Sequence, residues 1–177
     1  MSDLIAPHGG SLVNRIASAD ESRRLTEEAA RLPKITLSAK QSCDLEMIGI
    51  GAFSPLTGFM EKNDFESVCR HMKLSSAGKR GHIWPIPILL SVDKTKAPKA
   101  GDRVALHAPN GVLQAVMTVN EVFAHDKKLE IPSVFRTEDP AHPGVKQVME
   151  EGDTCLGGPV DVLTVCVDPK GPDAFRD

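Results

Sequence analysis

Arg103–Val119 reads RVALHAPNGVLQAVMTV, and it decides the fold class. Two alternating apolar runs flank a Pro109-Asn110-Gly111 turn. Val104 and Leu106 share one face of the first run. Leu113, Ala115, Met117 and Val119 share one face of the second. An Asn-Gly dipeptide between alternating runs is the strongest short-range hairpin signal, because both turn positions accept positive φ. An antiparallel hairpin with its apolar face on a core is therefore expected.

Working outward, strands dominate the second half of the chain. Ile83–Val92 (IWPIPILLSV) is apolar and extended, but Pro85 and Pro87 lack backbone donors, which predicts an edge strand or an irregular start. Lys94 to Gly101 is a polar turn. Leu129–Ile131 is expected as a short strand and Asp161–Val167 as a final one. Pro143 is suited to the first turn of a helix over Gly144–Glu150. The first half is mainly helical. After an irregular segment over residues 1–19, Asp20–Leu32 places Leu25, Ala29 and Leu32 on one face, and Pro33 ends the helix. Lys34–Leu37 is a short strand. Ser38 and Gln41 form an S-x-x-Q capping box for a helix whose apolar face carries Leu45 and Ile48 and which Gly49 and Gly51 stop. Asn63 and Glu66 mark another helix start, with Phe65, Val68, Cys69 and Met72 inside. Helices followed by a meander of short strands predict an α+β domain built on a mixed, short-stranded, partly closed β-barrel with flanking helices. The expected domain spans residues 1–167, and residues 168–177, with Pro169, Gly171 and Pro172, read as a linker or tail.

Composition narrows the functional classes. The chain has 177 residues, enough for one domain with a real core, and its apolar (41%) and charged (25%) fractions are those of a globular protein. Lys and Arg number 21 against 24 Asp and Glu, a net charge of −3, and aromatics are only 4%. Both facts disfavour a nucleic-acid surface. Cys43, Cys69, Cys155 and Cys166 form no CxxC pair, and the N-terminus MSDLIAPHGG shows no secretory signal, so reduced thiols and a cytoplasmic location are expected. No apolar run is long enough to span a bilayer.

Chemistry-bearing motifs are sparse. No phosphate-binding loop or G-x-G-x-x-G opens a helix, and no G-x-S-x-G nucleophile elbow occurs. Six scattered histidines lack metal-ligand spacing, so no metal site is expected. His125-Asp126 reads as a solvated turn. Lys94, Lys96, Lys99 and Arg103 form one basic run and Lys79-Arg80 another, and both read as solvated faces. Two segments remain. Gly51–Met60, GAFSPLTGFM, is apolar, uncharged and turn-rich. Ser54 and Thr57 there suit turn stabilisation, while Phe53, Leu56, Phe59 and Met60 are candidates for packing against the core or a partner domain. Phe135–Val145, FRTEDPAHPGV, collects Arg136, Asp139 and His142, which are candidate ligand-binding residues. The preferred alternative is structural, with Asp139 or His142 meeting the free N–H groups of the helix that Pro143 opens.

With these residues in view, the chain resembles ATP sulfurylase, also called sulfate adenylyltransferase, and is similar to the N-terminal PUA-like domain of that family. The resemblance rests on GAFSPLTGFM (51–60), WPIPILL (84–90), GDRVAL (101–106), FRTEDPAHPGV (135–145) and LGGPVDVL (156–163), and covers roughly Leu4 to Val167. It implies a reaction joining ATP and sulfate into adenylyl sulfate and pyrophosphate. The family's catalytic signature, Gln-x-Arg-Asn leading into His-x-x-His and later Gly-Arg-Asp, does not occur here. The resemblance therefore implies an accessory domain that is inactive alone, with no catalytic residue and no cofactor of its own. ATP and sulfate would be held by a catalytic domain acting in cis or in trans. A stand-alone anion-binding or RNA-binding module is the alternative, and a homo-oligomer is left open.

Overall fold

The computed structural model describes residues 5–75 and 81–163. Helix α1 (Ala19–Ala29) is capped by Ser18, whose side chain accepts from the Glu21 N–H, and it buries Leu25 and Ala29. Strand β1 (Lys34–Thr36) follows. Helix α2 (Ala39–Gly49) carries the full capping box: Ser38 Oγ accepts from Gln41 N–H, and Gln41 Oε1 accepts from Ser38 N–H. Two of the four free donors of a helix start are thereby satisfied reciprocally. Next come β2 (Gly58–Phe59) and α3 (Lys62–His71). Helix α3 begins one residue before Asn63, behind Glu61, which makes no side-chain cap. It ends at Met72 in the left-handed region (φ 53).

Residues 83–89 are largely irregular before β3 (Leu90–Val92), as the two prolines require. Strands β4 (Arg103–His107) and β5 (Leu113–Thr118) are the expected hairpin. Its turn differs in type, since Gly111 alone has positive φ (85), Ala108 and Val112 close the loop, and Asn110 Oδ1 accepts from Val112 N–H. This is a three-residue loop with glycine in the left-handed position. The register then slips between Leu106 and His107, so Gln114 is the extra residue of a bulge. The slip moves Leu113 off the face of Ala115, Met117 and Val119 and towards α1.

Strand β6 (Glu121–Ala124) has no counterpart in the sequence reading. Leu129–Ile131, expected as a strand, lies inside helix α4 (Lys127–Phe135), which Asp126 caps and which tolerates Pro132. The Leu129-Glu130-Ile131 triplet alternates as a strand would, but it is too short to fix its period. Helix α5 (Pro143–Glu150) has proline in its first turn and His142 as its cap. The last strand, β7 (Thr154–Val162), begins earlier than expected. Residues 164–167 of that expectation, the 168–177 tail, Cys166 and Lys79-Arg80 lie outside the described residues.

β7 organises the seven-stranded mixed sheet. It pairs antiparallel with β2, β3, β5 and β6, while β1 joins β4 in parallel. Its first half, Thr154–Gly157, lies between β3 and β6, and Val160–Val162 lies on β5. The change of partner occurs at Gly158, with φ 147. There the backbones of β2 and β7 cross so closely that a Cβ on Gly58 would sit 1.9 Å from the Gly158 carbonyl. A strand that bends at glycine and changes neighbours curls the sheet into a half-barrel.

The main core fills that curl with side chains from α2, α3 and the inner sheet face, including Leu45, Ile48, Phe65, Leu90, Met117 and Leu156. Helix α1 covers the outer face at Ala105 and Val116, so β4 and β5 are buried on both sides instead of one. Outside this face Arg15 pairs with Asp161 at 2.6 Å, and Arg103 pairs with Glu28. Ile131, Val145 and Val148, with Phe135 against them, form a small separate core between α4 and α5.

Candidate functional site

GAFSPLTGFM divides between core and surface. Ser54 Oγ accepts from Val13 N–H at 2.9 Å and donates to the Gly51 carbonyl at 2.6 Å, which fixes the turn. Leu56, Phe59 and Met60 are buried in the domain's own core, and Met60 N–H bonds the Ile88 carbonyl. Of the four packing candidates, Phe53 alone stays partly open. It lies edge-on to Trp84, with centroids 5.8 Å apart, and the two form the floor of an apolar groove of about 660 Å³. Ile83 (69% exposed) and Ile86 (47%) stand on its rim. The irregular backbone at Pro85 and Pro87 leaves both isoleucines exposed, where a regular strand would put residues three apart on opposite faces.

The polar edge of this groove is Lys40 and Asp44, one turn apart on α2 and 3.2 Å from each other. Lys40 also lies 3.8 Å from Glu151. Burial would lower the Lys40 pKa, but the Asp44 and Glu151 charges outweigh it and the pKa is raised. Burial raises Asp44 and Glu151 despite Lys40. Gln41 Nε2 donates to Ser91 carbonyl at 2.9 Å, and Ser42 donates to Gln114 Oε1 at 2.6 Å, so the inner face of α2 is pinned to the barrel by buried polar contacts. The i, i+4 spacing of Lys40 and Asp44 was the one sequence signal for this cluster. A second cleft, about 740 Å³, is lined by Lys34, Thr36, Ser91, Lys96, Glu151 and Asp153. Its charges are mixed, and among the described residues no group of His, Cys, Asp and Glu is placed to hold a metal ion.

Arg136, Asp139 and His142 are exposed and lie outside both clefts. Each is engaged locally. Arg136 ends α4 in the left-handed region (φ 57), its N–H on the Pro132 carbonyl. Asp139 Oδ1 accepts from Ala141 N–H at 2.9 Å. His142 Nδ1 accepts from Val145 N–H at 3.4 Å, and the ring packs on Phe135. All three lie on the helix–loop–helix connection between α4 and α5.

His125-Asp126, read as a solvated turn, is not one. Asp126 caps α4, and the His125 side chain is fully buried between the Glu130 carboxylate and the Gly152 carbonyl. The interval of five between His125 and Glu130 crosses a strand end and a helix start, so no periodicity could have paired them. Cys69 and Cys155 are buried thiols. Burial raises the Cys69 pKa to about 12 and raises that of Cys155 as well, which makes both poor nucleophiles.

The curled mixed sheet with helices on both faces defines an α+β half-barrel of the PUA kind. The family model described as a PUA-like domain matches residues 5–165, and the chain belongs to that family. It is 44% identical over 165 residues to the sulfate adenylyltransferase of Symbiobacterium thermophilum, covering 92% of this chain and 41% of that protein. It is 43% identical to the sulfate adenylyltransferase of Acaryochloris marina, covering 96% of this chain and 43% of the relative. A probable bifunctional SAT/APS kinase 2 of Sorangium cellulosum is 43% identical over 96% of this chain and 29% of its own length. Among solved structures, the hexameric APS kinase from Thiobacillus denitrificans superposes with a TM-score of 0.70 at 30% identity, over 95% of this chain and 28% of that one. The chain thus spans well under half the length of the relatives it matches.

Proposed function

We propose that this chain is the accessory domain of a sulfate adenylyltransferase and packs against a catalytic domain, in cis or in trans, that binds ATP and sulfate in the cytoplasm. The observation that carries the reading is the groove floored by Phe53 and Trp84. It lies on GAFSPLTGFM and WPIPILL, two of the segments that carry the resemblance, and it leaves two isoleucines largely uncovered. Exposed apolar groups of this kind, rimmed by a charged pair, suit a domain contact. The sulfate adenylyltransferase relatives have more than half their length left for a further domain. Self-association belongs to the reading too, since the solved relative is a hexameric APS kinase. The stand-alone anion- or RNA-binding reading is not favoured. The net charge is −3, and Arg136, Asp139 and His142 are committed to local structure.

Two results are expected. The purified chain releases no pyrophosphate from ATP and sulfate, and measurable release would refute the accessory role. The chain also binds the remaining portion of the Symbiobacterium relative in a calorimetric titration. Ile83→Asp with Ile86→Asp weakens that binding by roughly thirtyfold, the effect of losing about 2 kcal/mol at a contact centre. Because both isoleucines are exposed, the thermal midpoint of the free chain should hardly move. Unchanged binding by the double variant would place the contact elsewhere.

A further inference from the structure

His125 is closed off from water with both ring nitrogens occupied. Nδ1 lies 3.0 Å from the Gly152 carbonyl oxygen, and Nε2 lies 2.5 Å from Glu130 Oε2. A carbonyl oxygen can only accept, so Nδ1 carries a hydrogen. Nε2 faces a carboxyl group that is 4% exposed as a residue. Were Nε2 a bare lone pair and Glu130 a carboxylate, two acceptors would meet in a dry site, which is strongly unfavourable. A proton must lie between them. A free imidazole is more basic than a free carboxylate, so that proton belongs on Nε2 and the pair is imidazolium and carboxylate.

The pair sits where three pieces of backbone join. His125 follows β6, and its own N–H bonds the Asp153 carbonyl. Glu130 lies in the first turn of α4. Gly152 leads from α5 into β7. Lys127 reinforces the joint by donating to the carbonyls of Met149 and Glu151. We propose that His125 and Glu130 form a proton-dependent latch, which holds the α4–α5 hairpin and its Arg136–His142 connection against the head of β7 and releases them when the proton is lost.

The surroundings favour the protonated form. From α4 the imidazole meets Glu130. From the α5–β7 connection it meets Glu151 and the Gly152 carbonyl. Phe65 of α3 covers one side, edge-on at 6.2 Å. Lys40 and Asp44 of α2 reach the cluster through Glu151, and Cys69 of α3 and Cys155 of β7 are neutral thiols near Glu130. Burial alone would lower the His125 pKa, but Glu130 and the Gly152 carbonyl reverse that and raise it. With a folded pKa above the unfolded one, the latch is fully present below the ordinary histidine value and is lost as pH rises through the folded value.

The test uses the full chain. Imidazole ¹⁵N–¹H spectra at pH 6 should show hydrogens on both nitrogens of His125. Hydrogen exchange should show the opening constant of α4 and α5 rising about tenfold per pH unit between the ordinary and the raised pKa, then levelling. Glu130→Gln can donate its amide hydrogen to a neutral Nε2 with Nδ1–H still on Gly152. It should keep the hairpin closed and remove the pH dependence over that range. An unprotonated Nε2 at pH 6, or wild-type and Glu130→Gln exchange profiles with the same pH dependence, would overturn the latch. Should the variant not fold, the wild-type ring spectrum still decides.

Discussion

Gly158→Ala is expected to remove about 4 kcal/mol of stability or to prevent folding altogether, from two penalties that add at one atom. The first is conformational. Gly158 has φ 147, outside the regions open to residues with a side chain. The second is steric. A Cβ there would lie 2.2 Å from the Thr118 carbonyl oxygen at the end of β5 and 2.9 Å from the Asn120 nitrogen in the β5–β6 connection, both of them backbone atoms. Backbone cannot rotate aside as the end of a long side chain can, so relief requires β7 to lift off its neighbours. That would break the crossing at which β7 passes from the β3–β6 pair to β5. Gly111→Ala is the control, since φ is positive there too (85) but a Cβ would meet nothing within 4 Å. It should cost only the left-handed penalty of about 1–2 kcal/mol. Urea unfolding of the two variants separates the effects, and a Gly158→Ala protein within 1 kcal/mol of Gly111→Ala would refute the crossing as the closure point of the barrel.

What the sequence disclosed and what it withheld divide along a physical line. Local chemistry was legible. Ser38 and Gln41 announce their cap three residues apart, Pro143 opens α5, and Asn110-Gly111 marks the hairpin, because each signal and its consequence lie within one turn of chain. The class of fold followed from these. Elements specified by distant partners were not legible. β2 is two residues long and exists only because Gly58 can approach Gly158. Gly157-Gly158-Pro159 looks like a break, yet it lies in the middle of the longest strand. The α4 region misled for a related reason. Leu129–Ile131 alone shows no helical period, and Asp126, the cap of α4, stands beside a histidine whose partner becomes a neighbour only after the helix forms. The groove was half legible. The apolar character of GAFSPLTGFM pointed to packing, but the distribution between core (Leu56, Phe59, Met60) and surface (Phe53) depends on where Trp84 lands, some thirty residues later.

Phe65→Ala is expected to cost about 3–5 kcal/mol, the range for deleting a buried aromatic ring from a core that relaxes only in part. Phe65 is 1% exposed and heads the fully buried side chains by volume. It is a junction as well as a filler. From α3 it meets Phe123 of β6, with centroids 5.9 Å apart, and the edge of His125 at 6.2 Å. Its loss would therefore open the wall that keeps the His125–Glu130 pair dry. In a chain of this length such a loss should lower the thermal midpoint by roughly 6–20 °C with little change in the denaturant slope. Phe65→Leu, which keeps most of the volume, should cost under about 1.5 kcal/mol. Phe65→Ala should also weaken the pH dependence of α4–α5 exchange, because water admitted to the pair solvates both protonation states and brings the folded histidine pKa back towards its ordinary value. Phe65→Leu should leave that dependence in place. Equal stability losses from the two variants would mean that α3 collapses into the vacated space. Unchanged exchange in Phe65→Ala would mean that the pair is shielded by Cys69 and Cys155 instead of by the ring.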